Sequence, residues 1–227
     1  MFSEQLDYTG ESFAEDVVFL PPVRPAVVLG MAHNGSASDR QLAPGAFFKS
    51  ARTVCGPHDG IVLDRNIGSV NVEGELAVVI ARQTRHLAPG QSPRHILGYT
   101  IANDVTSIDQ ISFGGTLLQA KNGDGYTPLG PWIETAADPA SLAITLRIQG
   151  VTVARSTTSG LAWSIDEQLV YLSSHLELGP GDVVLTGAPG TSAAVLPGDD
   201  VEIVIEGIGS LRNPVVRGRA RAAAPSP

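Results

Sequence analysis

Two acids two residues apart, Glu73 and Glu75, open the apolar run Leu76-Ala-Val-Val-Ile80. On a β-strand such residues share a face and lie about 6.6 Å apart along the chain. Both carboxylates therefore project the same way, with Gly74 adding no side chain between them. Like charges at that range raise each other's pKa unless a cation sits between them. A third acid, Asp104, follows the apolar stretch Gly98–Asn103 and could complete a ligand set. Three oxygen donors without Cys or His suit a hard ion, Mg2+ or Mn2+, better than a structural zinc. The alternative is a solvated strand start at which the two glutamates pair with Lys or Arg on the surface.

The elements that must position these acids are mostly strands. Aliphatic runs punctuated by Gly, Pro and Asp predict strands at Ala26–Leu29, Gly60–Leu63, Glu75–Ala81, Gly98–Asn103, Leu142–Gln149, Asp182–Thr186, Val201–Glu206 and Ser210–Val216. One helix is well marked. Ser164 and Glu167 have capping-box spacing, Ile165, Leu169, Leu172 and Leu176 share a face, and Leu178-Gly-Pro-Gly-Asp182 stops it. A second helical stretch is expected after Asp104. The polar segment Met31–Gln41 reads as a mobile loop or short helix able to close over a site. The fold class is mainly β (α+β), in one domain, with residues 1–23 an N-terminal extension and 217–227 a flexible tail.

Composition narrows the function classes. The 227 residues include 25 glycines and 16 prolines, 43% are hydrophobic and 17% charged, which describes a turn-rich globule rather than a disordered chain. A formal net charge of −8 opposes a nucleic-acid partner. No apolar run reaches the ~20 residues that span a bilayer, and Met1–Gly10 lacks a basic, then apolar, leader. A lone cysteine, Cys55, excludes an internal disulfide, so a cytoplasmic location is expected. The chain contains no G-x-S-x-G elbow, P-loop, G-x-G-x-x-G, C-x-x-C or H-E-x-x-H.

Four motifs in order carry a resemblance. These are E-x-E-L-x-x-V-I (Glu73–Ile80), G-Y-x-x-x-N-D-x-T (Gly98–Thr106), a lysine segment ending in P-x-G-P-W (Lys121–Trp132), and the stretch from Leu176 through Gly179-Pro-Gly-Asp182 to Thr186-Gly-Ala-Pro-Gly190. Over roughly residues 24–216 the chain resembles the fumarylacetoacetate hydrolase family in its short single-domain form. The resemblance implies a β-sandwich roll with few short helices and a homodimer. It also implies one Mg2+ or Mn2+ on Glu73, Glu75 and Asp104, and a small 2-oxo or β-diketo acid as substrate. Its default reaction is hydrolytic C–C cleavage of an acylpyruvate-like acid. The alternatives are isomerisation, tautomerisation or decarboxylation with the same metal and no activated water, or a non-catalytic binding protein on the same fold. Lys121 would meet the substrate oxyanion or donate a proton. Thr186, with Gly187 beside it, would bind the substrate carboxylate. Lys49, in Phe47-Phe-Lys49-Ser50, would read a substrate carboxylate or cap a strand.

The lid departs from the family pattern. Where G-x-N-Y-x-x-H-x-x-E is usual, the chain reads Gly30-Met-Ala-His33-Asn-Gly-Ser36-Ala-Ser-Asp39. Ser36 stands at the histidine position. His33 either replaces that base, with Asp39 orienting it, or is a capping or solvated residue. Without a replacement, hydrolysis gives way to enolisation or decarboxylation. Ile108 stands where the family has Arg, and Ala188 where it has Thr, which suggests an unusual or less anionic substrate.

Overall fold

The computed structural model describes residues 18–218. Most of the expected extension and tail lie outside the described residues.

The described residues form fourteen strands: β1 (Val28–Ala32), β2 (Gly45–Lys49), β3 (Val54–Cys55), β4 (Ile61–Leu63), β5 (Val70–Ile80), β6 (Ile96–Asn103), β7 (Thr106–Ser107), β8 (Thr127–Glu134), β9 (Ala143–Ile148), β10 (Val151–Thr157), β11 (Val183–Leu185), β12 (Ser192–Val195), β13 (Asp200–Ile205) and β14 (Gly209–Arg217). A nine-stranded, curled sheet runs in the order β2-β1-β11-β5-β6-β8-β3, with β7 and β12 pairing onto β5. A five-stranded sheet, β10-β9-β13-β14-β4, faces it. The mainly β roll with few short helices is the fold expected from the sequence.

The main core lies between the sheets. Val72, Leu76, Val78 and Ile80 of β5 join Ile101 of β6 and Ile144, Leu146, Ile203 and Leu211 of the smaller sheet. Gly74 belongs to this face too, because a Cβ there would come within 3.1 Å of the Ile203 methyl. It is therefore a packing glycine and does not lie between the two carboxylates. The opposite face of β5 carries Glu73, Glu75, Ala77 and Val79. Ala77 and Val79 pack into a second apolar cluster with Val28, Ala102, Leu129, Val183 and Leu185. A strand buried on both faces reads as a continuous apolar run, which is why β5 was visible in the sequence.

Helix α1 is a single turn, Leu118–Lys121, and α2 covers Ile165–His175. The α2 boundaries follow the sequence signals. The Ser164 hydroxyl accepts from the Glu167 N–H at 3.3 Å, and Glu167 accepts from the Ser164 N–H at 2.9 Å. The helical stretch expected after Asp104 is instead β7, a 3-10 segment Ile108–Phe113 and the short α1.

Candidate metal centre and its cavity

Strand register brings the acids together. Gly74 pairs with Asn103 and Glu75 with Ala102, so the chain leaves β6 with Asp104 beside Glu73. The Asp104 N–H donates to the Glu73 carbonyl at 2.9 Å, and the Glu73 N–H donates to Asn103 Oδ1 at 3.0 Å. One carboxylate oxygen from each of Glu73, Glu75 and Asp104 lies within 4.8 Å of the others. The surface ion-pair alternative holds in part for Glu73, which pairs with Lys121 at 3.0 Å, but not for Glu75, which is only 3% exposed and accepts instead from the Gly187 N–H.

Two lysines each take one carboxylate oxygen of Asp104. Lys49 has a fully buried side chain, and its ammonium donates to Asp104 Oδ1 at 2.5 Å and to the Tyr126 carbonyl at 2.9 Å. It lies beneath the acids, so Lys49 neither faces the cavity nor caps its strand. Lys121 donates to Asp104 Oδ2 at 2.5 Å, Thr106 Oγ1 at 2.6 Å and Glu73 Oε2 at 3.0 Å. Its ammonium also stands 4.8 Å from the centre of the Phe47 ring.

The charges decide the protonation states. Burial alone would raise the Asp104 carboxyl, but Lys49 and Lys121 pull it below the ordinary carboxylate range. Burial would lower the Lys121 ammonium, yet Asp104 and Glu73 lift it above the usual lysine value. Burial draws Lys49 down against the pull of Asp104. Glu75 bonds neither lysine. Desolvation, with the charges of Asp104 and Glu73 beside it, drives its carboxyl well above the ordinary range, and its hydrogen bond comes from the Gly187 N–H at 2.6 Å. A buried carboxylate without a cation is costly. A divalent ion among the three acids relieves that cost, and the all-oxygen donor set suits a hard ion.

The other expected site residues are placed as follows. Gly187 spends its N–H on Glu75, with φ +103 and the Asn34 carbonyl 2.6 Å from where a Cβ would stand, so only glycine fits there. Thr186 is fully buried and donates its hydroxyl to the Leu76 carbonyl at 2.8 Å, so that proton already has an acceptor. His33 is exposed, lines the cavity and adopts φ +53. Asp39 is the third residue of a 3-10 turn (Ala37–Gln41), and its Oδ2 accepts from the Gly35 N–H at 2.8 Å and the Ser36 N–H at 3.0 Å. Among the described residues no hydrogen bond joins His33 to Asp39.

Two contributors escaped the sequence analysis. Thr106, quoted there only as part of a motif, donates to Glu73 Oε2 at 3.1 Å while accepting from Lys121. Asn34, buried in the lid, takes the Trp163 N–H on Oδ1 at 2.7 Å and donates to the Thr186 carbonyl at 2.6 Å. An asparagine beside a candidate base carries no periodic signal. Its partners are more than a hundred residues away.

Residues 24–216 match the fumarylacetoacetate (FAA) hydrolase C-terminal family. The chain belongs to that family. A crystal structure of 5-carboxymethyl-2-hydroxymuconate delta-isomerase from Mycobacterium smegmatis superposes with a TM-score of 0.85 at 37% identity, over 90% of this chain and 84% of that one. The mitochondrial oxaloacetate tautomerase of Homo sapiens is 33% identical over 88% of this chain and 70% of its own length. Maleylpyruvate hydrolase from Sphingobium sp. SYK-6, crystallised with manganese(II) and pyruvate, superposes with a TM-score of 0.80 at 29% identity, over 90% of this chain and 75% of that one. No helix among the described residues is long and apolar enough to cross a membrane.

Proposed function

We propose that this family member is a Mg2+- or Mn2+-dependent enzyme that moves a proton within a small 2-oxo acid, as a tautomerase or isomerase. A divalent ion held by Glu73, Glu75 and Asp104 supplies Lewis acidity, which acidifies the carbon beside a ketone. The manganese-bound relative supports that ion class, and the muconate isomerase and the oxaloacetate tautomerase support the reaction type better than hydrolytic C–C cleavage.

The chain's own residues divide the remaining work. Lys121 carries a proton next to the acids and places it at the substrate oxygen as the C3–H bond breaks and the enol O–H forms. His33, the imidazole lining the cavity, exchanges the C3 proton. Lys49 holds Asp104 ionised and in place. Gly187 fixes Glu75 through its backbone N–H.

One observation carries the choice of reaction. Asp39 is folded back on the Gly35 and Ser36 N–H groups instead of orienting His33, and Ser36 stands where a water-activating histidine is usual in the family. Proton transfer within the substrate needs no such pair; attack by water does. Exchange of the C3 protons of simple 2-oxo acids in D2O, followed by NMR with Mg2+, tests this. Metal-dependent exchange without new products is expected. Faster cleavage of acetylpyruvate to acetate and pyruvate would restore the hydrolase, CO2 release from oxaloacetate would indicate a decarboxylase, and no turnover of any kind would leave a binding protein.

A further inference from the structure

Beyond the acids, the cavity of about 370 Å³ changes character. Its remaining wall includes Met31, Phe47, Ile108, Ile111, Leu117 and Ala188. Ile111 is 43% exposed, and the same segment leaves Phe113 and Leu118 67% and 63% exposed. Among the described residues that line this cavity, no arginine appears, and the cationic candidates are Lys121 and His33. Lys121 is already bonded to Asp104, Glu73 and Thr106, at the metal end.

We infer that the substrate is a 2-oxo monocarboxylate with an apolar tail, and that the Ile108–Leu117 wall rejects a second carboxylate. This rests on the proton-transfer reading and sharpens it to a substrate class. The carboxylate and ketone of such an acid engage the metal end, while its alkyl chain covers Ile108, Ile111 and Leu117. A carboxylate at the far end would stand against these apolar side chains with no cation to meet it, in a cavity that already holds three acids. The three relatives above carry names that denote substrates with more than one carboxylate, so the tail end is where this chain is expected to differ from them.

The matched pair 2-oxohexanoate and 2-oxoadipate isolates the wall, because the two differ only by methyl against carboxylate at the far end. With saturating Mg2+, kcat/KM for C3 exchange should rise about fourfold per methylene from 2-oxobutanoate to 2-oxohexanoate. It should then fall about tenfold or more for 2-oxoadipate. Ile111→Arg should reverse that last preference, since it supplies the missing cation. A flat chain-length series in the native protein, or 2-oxoadipate exchanging as fast as 2-oxohexanoate, would overturn the inference while leaving the proton-transfer reading intact. Absence of exchange with every acid would instead overturn that reading, and the substrate class with it.

Discussion

Beneath the acids, Lys49 reaches Asp104 with none of its side chain exposed, from the inward face of the edge strand β2. In the Met31–Gln41 segment, Arg40 reaches Glu167 at 2.6 Å with about half of its side chain in water (49%), its guanidinium 4.1 Å from the centre of the Trp163 ring. Both contacts are ion pairs, but their surroundings give them different weights. A pair without water costs a great deal to break, because the survivor is left charged and desolvated. A hydrated pair is screened on both sides. The floor therefore fixes the charge and position of the acids, while the lid is attached mainly through uncharged contacts such as Asn34.

The contrast can be attacked from the floor first. Lys49→Met leaves Asp104 buried against Lys121 alone, and it should lower unfolding stability by about 3–5 kcal/mol in a urea titration. A loss no larger than that of a surface lysine would show that water reaches the floor. Asn34→Ala is the next largest. It strands the partly buried Trp163 N–H and the buried Thr186 carbonyl, so a cost of about 1–3 kcal/mol is expected, with raised protease sensitivity within residues 33–41. A neutral outcome would mean that something other than Asn34 pins the lid.

Lys121 sharpens the comparison in a different way. Its ammonium bonds oxygens of Glu73 and Asp104, two of the acids expected to take the metal, so it competes with the ion for them. Lys121→Met should bind Mn2+ on the order of tenfold more tightly by calorimetry while losing proton exchange. Weaker binding would show that the lysine supports the ion instead. Arg40→Ala should have the smallest effect, leaving the melting temperature and the exchange rate close to native. A large drop in either would give the exposed pair a role that its hydration argues against.

The two regions also differed in how far the sequence revealed them. Strand β5 and the start of Asp104 were legible because a doubly buried strand is an apolar run and a period of two puts Glu73 and Glu75 on one face. Helix α2 was legible from its own cap. Strand β8 was not, since Pro128, Gly130 and Pro131 within it speak against a strand; it pairs with β6 on one side and with the two residues of β3 on the other. Strand β10 lies at a sheet edge with much of its surface in water and carries little apolar pattern. Lys49 is legible as a family residue, but its partner is 55 positions away, and only the register of β2 against β1 and of β5 against β6 brings the two together. In the lid, local pattern invited pairing His33 with Asp39. The nearer backbone donors of Gly35 and Ser36 took the carboxylate first, as short polar side chains do at turn starts.

The claim beneath all of this is that three carboxylates share one cation. Manganese titration followed by electron paramagnetic resonance addresses it without any assay of turnover. The native protein should take up one ion per chain, and Glu75→Gln, with its circular dichroism unchanged, should bind about a hundredfold more weakly. Equal Mn2+ affinity in the two proteins, or no specific uptake by the native chain, would contradict it.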